Sequence, residues 1–207
     1  MFFRLPYSNI VSGLPDLMLG ITFLVTWIDP YALGDDMVPF LSMVMLLEFI
    51  IIHSSGFMTA FALRGGDKKK TLLIMAGLGA FYMLFAGAFA ASFNSWWPVI
   101  AFGGLLLNRM LSVITGQAPE GKETDFAMMQ WASNVFFYLM SVFAAIMLPL
   151  PELGVTHEQM AHLDMSGEFV DEPHRMMAWG FLYFTLVSAV EFAMRNTSAA
   201  APEKPAV

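Results

Sequence analysis

Residues 71–93 read Thr-Leu-Leu-Ile-Met-Ala-Gly-Leu-Gly-Ala-Phe-Tyr-Met-Leu-Phe-Ala-Gly-Ala-Phe-Ala-Ala-Ser-Phe, without one charged side chain. As a helix rising ~1.5 Å per residue, such a run covers the ~30 Å hydrocarbon core of a bilayer. Directly before it stands Arg64-Gly65-Gly66-Asp67-Lys68-Lys69-Lys70, a basic turn that belongs in water or among lipid headgroups. The same reading applies to Ile10–Ile28, Pro39–Leu63, Trp97–Thr115, Phe126–Leu148 and Met176–Met194. The breaks between them are rich in Pro, Gly, Asp and Asn, as helix ends require. The expected fold is therefore all-α, a polytopic membrane helix bundle of about six transmembrane helices. The first span is the weakest, because Pro15 and Asp16 interrupt it.

Composition agrees. The 207 residues are 57% apolar and 13% charged, with 20 Phe, 18 Met and 5 Trp. Soluble chains carry about 25% charge, so this surface must face lipid. A net charge of −7 argues against a nucleic-acid partner. The absence of Cys removes disulfides, thiolate metal sites and thiol catalysis.

Orientation follows from the basic residues. With the Arg64–Lys70 turn in the cytoplasm, Arg4, Arg64, Lys68, Lys69, Lys70, Lys122, Arg195 and Lys204 all fall on the cytoplasmic side, and only Arg175 lies outside. The outer segments instead collect Asp29, Asp35, Asp36, Glu152, Glu158, Asp164, Glu168, Asp171 and Glu172. Both termini are thus expected in the cytoplasm, in a multi-pass protein of a cell inner membrane. Residues 1–195 are expected to form a single helix-bundle domain, anchored by an uncleaved first span. Within it, residues 149–175 form an outer loop, and 196–207 form a disordered cytoplasmic tail.

Chemistry is sought where lipid penalises it. Glu48, His53, Asn108 and Arg109 fall within a few Å of the bilayer midplane when counted along their helices. Glu48 and Arg109 sit at matching depth, which suggests an ion pair completed by Asn108 and His53. Asn134 joins this midplane polar cluster through the stripe Gln130, Asn134, Tyr138 and Ser141, one continuous helix face. The competing readings are helix-locking hydrogen bonds and an Arg109 that snorkels to the headgroups. Ser54-Ser55-Gly56 would let a neighbouring backbone approach closely. Ala76, Gly77, Gly79, Ala80, Gly87, Ala88 and Ala91 read as a small-residue packing surface.

The outer loop is the second candidate. His157, Met160, His162 and His174 stand there among carboxylates; imidazole and thioether suit copper, and carboxylate with imidazole suits zinc. The His157/His162 spacing misses the i, i+4 pair of a zincin helix. An acidic surface loop is the simpler reading. No phosphate loop or dinucleotide fingerprint occurs, and Ser54 and Ser55 lack a histidine base on a second span, so the chain leans away from being an enzyme. The leading functional expectation is permeation of an ion, a proton or a small solute through the midplane cluster. The alternatives are a non-catalytic accessory subunit of a larger membrane complex, and a copper- or zinc-handling protein using a metal ion in the outer loop. Partners are the lipid bilayer and either further copies of this chain or a larger assembly.

Overall fold

The computed structural model describes residues 8–63, 67–115, 122–156, 158 and 172–199. They contain six helices: α1 (Ser8–Ile28), α2 (Met37–Leu63), α3 (Lys68–Ser92), α4 (Trp97–Thr115), α5 (Lys122–Met147) and α6 (Pro173–Ala199). No strand occurs among the described residues. Five stretches, Met37–Phe61, Lys68–Ser92, Trp97–Thr115, Met128–Met147 and Pro173–Ala193, are long and apolar enough to cross a membrane. The chain is an all-α, multi-pass membrane helix bundle. The first helix continues through Pro15, and its apolar part, Gly13–Ile28, is shorter, roughly 24 Å of helix.

The chain divides into two compact units, one from residues 1–38 with 136–207 and one from residues 39–135. In the first unit α1 and α6 run antiparallel. Lipid tails are as apolar as Leu, so close packing and polar contacts must hold such helices together. Glycines provide the closeness. A Cβ at Gly20 would lie 2.9 Å from Thr185 Oγ1, and one at Gly180 would overlap the Phe23 ring. Ser188 Oγ donates to Gly13 O at 2.9 Å across the seam. Phe23, fully buried, stacks on Phe184 with centroids 5.7 Å apart.

The C-terminal end of α1 is tied to the segment after α5 through backbone carbonyls. Trp27 Nε1 donates to Pro151 O at 3.0 Å, and Gly154 N–H returns a bond to Trp27 O at 3.1 Å. Any side chain at Gly154 would run into Ile28 O, so glycine is required there. The guanidinium of Arg175 caps α5: Nη1 donates to Ala145 O at 2.7 Å and to Ile146 O at 2.8 Å. These last-turn carbonyls have no partner within the helix, and a cation also suits the negative end of its dipole. Glu172 forms an ion pair with Arg175 from the neighbouring turn.

In the second unit α3 and α4 form an antiparallel hairpin. Asp67 caps α3 by accepting Lys69 N–H at 3.0 Å. At the other end Asn94 takes φ 47°, Ser95 N–H bonds Ala90 O and Asn94 N–H bonds Ala91 O, the Schellman pattern with Asn in the left-handed position. The buried face of α3 is Met75, Gly79, Ala86 and Ala90. Leu106 fills the space over Gly79. The small-residue surface expected on α3 is therefore only partly a packing surface. Ala76, Gly77, Ala80, Ala88 and Ala91 are exposed, and Gly77 and Gly87 have nothing within 4 Å of a built Cβ. Met75 and Ala86, not these residues, set the face turned to α4. Leu47, Ile50 and Met58 of α2 complete the core with Phe102 and Val113 of α4.

Candidate functional site: the polar cluster of the second unit

The cluster grows from Phe49-Ile50-Ile51-Ile52-His53-Ser54-Ser55-Gly56 on α2. Each helical carbonyl keeps a second lone pair after its own helix bond, and short hydroxyls can reach back to it. Ser54 Oγ donates to Ile51 O at 3.2 Å, and Ser55 Oγ makes a shorter bond to the same oxygen. His53 Nδ1 lies 3.0 Å from Phe49 O, with its ring 4.0 Å from the Phe49 ring.

Donors from two other helices then reach α2. Arg109 of α4 places Nη2 2.6 Å from Ser55 Oγ and Nη1 3.2 Å from Ser55 O. Trp131 of α5 donates through Nε1 to Ile52 O at 2.9 Å. Its indole lies over Gly56, where any Cβ would overlap the ring. The close neighbour admitted by Ser54-Ser55-Gly56 is thus a tryptophan side chain rather than a second backbone.

Beside these groups lies a cavity of about 10 Å³, lined by Ser54, Ser55 and Arg109 together with Ile51, Met58, Phe102, Leu105 and Leu106. A volume of that order holds about one water molecule. The site thus offers one cation and two hydroxyls around a space that one water molecule fills.

The midplane residues are distributed as follows. Arg109 is half-buried and part of the cluster. Glu48 is half-buried on the same α2 face as Ser55, seven residues earlier, or ~10 Å along the axis. His53 is half-buried beside Ser54 and engages its own helix, and Asn134, also half-buried, follows Trp131 by three residues on α5. Asn108 is exposed.

In the outer loop, His157, Met160 and His162 lie outside the described residues. His174 belongs to the first unit, buried in the first turn of α6, within electrostatic reach of Glu172, Arg175 and Glu152. Among the described residues no group of three or more His, Asp or Glu is arranged to hold a metal ion.

Two contributions exceed what the midplane count suggests. Trp131, a neutral donor to α2, is one of them; its signal was the glycine it covers. Asp16 of α1 and Glu191 of α6 interact electrostatically within the first unit, and their signal was a carboxylate inside each of two apolar runs. A scan against protein-family models, a search of curated proteins and a search of solved structures each return no match.

Proposed function

We propose that this chain conducts a small ion across the membrane through its second unit, with Arg109 as the fixed charge that selects it. One observation carries the reading: a half-buried guanidinium and two serine hydroxyls line a cavity of about 10 Å³. A charged side chain at mid-bilayer is penalised by about 2.5–3.5 kcal/mol on insertion scales, and ion and substrate pathways are among the places where such residues are kept. The sign of the guanidinium favours a monatomic anion, to which Ser54 and Ser55 would donate by turning their single hydroxyl protons away from Ile51 O. The charge bias of the loops supports a cell inner membrane with both termini in the cytoplasm.

The test is chloride flux from vesicles of purified protein. Wild type is expected to discharge a chloride gradient, and Arg109→Gln to lose most of that flux while keeping its helical circular-dichroism signal. Vesicles of folded wild type that hold their gradient would refute conduction. They would favour the second reading, a non-catalytic accessory subunit, for which the large lipid-facing surface of α4 speaks: only 12% of its spanning stretch is buried.

A further inference from the structure

The exposed face of α4 runs through Ile100, Gly104, Leu107, Asn108 and Leu111, spaced at helical intervals. All but Asn108 suit lipid. Asn108 lies two residues past the middle of Trp97–Thr115, ~3 Å along the axis. Among the described residues its carboxamide has no hydrogen-bond partner. Hydrocarbon offers no donor or acceptor, so a polar side chain at this depth normally faces protein or water.

We infer that two copies of this chain pair through this face of α4, with Asn108 of each copy bonded to Asn108 of the other. A carboxamide is both donor and acceptor, so it complements itself. Across a two-fold axis normal to the membrane the same amide recurs at the same depth, and two reciprocal N–H···O bonds satisfy both. A foreign helix would instead need its own polar group at that depth and on that face. Gly104, one turn away, has nothing within 4 Å of a built Cβ, which leaves room for a second backbone to approach. No like charge opposes the contact, because the adjacent Arg109 is turned to Ser55. The pairing is independent of the conduction reading: it uses the outward face of α4, whereas the cavity lies on the inward one.

The chain has no Cys, so an introduced thiol is unique. Leu111→Cys, on the same face, is expected to give a disulfide-linked species of twice the 23.0 kDa chain mass on mild oxidation in native membranes. Leu84→Cys, on the exposed side of α3, is expected to stay monomeric. Adding Asn108→Leu to Leu111→Cys is expected to lower the dimer yield about 3- to 20-fold, the range of interhelical polar contacts in bilayers. Adding Asn108→Gln is expected to retain it. Circular dichroism reports that each variant is folded. The inference is overturned by absence of the dimer in folded Leu111→Cys, by equal cross-linking at Leu84→Cys, or by a yield indifferent to Asn108→Leu. Cross-linking of Leu111→Cys to a different protein would overturn it as well.

Discussion

Trp131 shows how a single side chain serves two purposes in the second unit: its ring covers Gly56 and its Nε1 saturates Ile52 O. Trp131→Phe keeps most of the ring and removes the donor. It is expected to lower thermal stability by about 0.5–1.5 kcal/mol, the usual net worth of one hydrogen bond. Gly56→Leu, which pushes the indole out altogether, should be worse, by ~1–3 kcal/mol from overpacking; a Leu variant as stable as wild type would contradict the seating of the ring. At this scale the sequence was informative about residue types and not about partners. Arg109 and the Ser54-Ser55 pair were visible as polar groups in lipid. Depth matched Arg109 to Glu48 on α2 and gave no sign of Ser55 on the same helix, which the long guanidinium reaches through both terminal nitrogens.

Individual helices were the most legible level. Trp97–Thr115 matches α4, and Pro39–Leu63 falls two residues short of α2 at its start. The reason is physical: hydrocarbon thickness fixes a length, and Pro, Gly and charge mark the ends. Which side of a helix packs was less legible, because small residues circle much of α3 and only Gly79, Ala86 and Ala90 among them are buried with Met75. Interactions closing helix ends were hidden as well. Arg175 counted against the charge bias, and its role as the cap of α5 depends on carbonyls some thirty residues earlier. Arg175→Gln is expected to destabilise the first unit by about 1–3 kcal/mol, as for charge-assisted bonds left unmade. Glu172→Gln should have a smaller effect, since the Glu172 side chain is 52% exposed and solvent screens the pair. Equal losses from both would show that the ion pair, rather than the cap, carries the stability.

For the whole molecule the charge bias makes a topological prediction. A reporter fused after Lys69 is expected to be active on the cytoplasmic side, and one near Asp164 on the outside; reversal at either site would overturn the assigned orientation. The membrane class was evident from composition, since a charged fraction of 13% leaves most of the surface to lipid. The division into two compact units was not, because hydropathy marks spans and carries no record of which spans pack together. Conduction selected by Arg109 is read out by the reversal potential of a planar bilayer holding the protein under a potassium chloride gradient. Wild type is expected to reverse close to the chloride equilibrium value, and Arg109→Gln to move toward zero. A wild-type value on the potassium side, or one that the Arg109 substitution leaves in place, would contradict it.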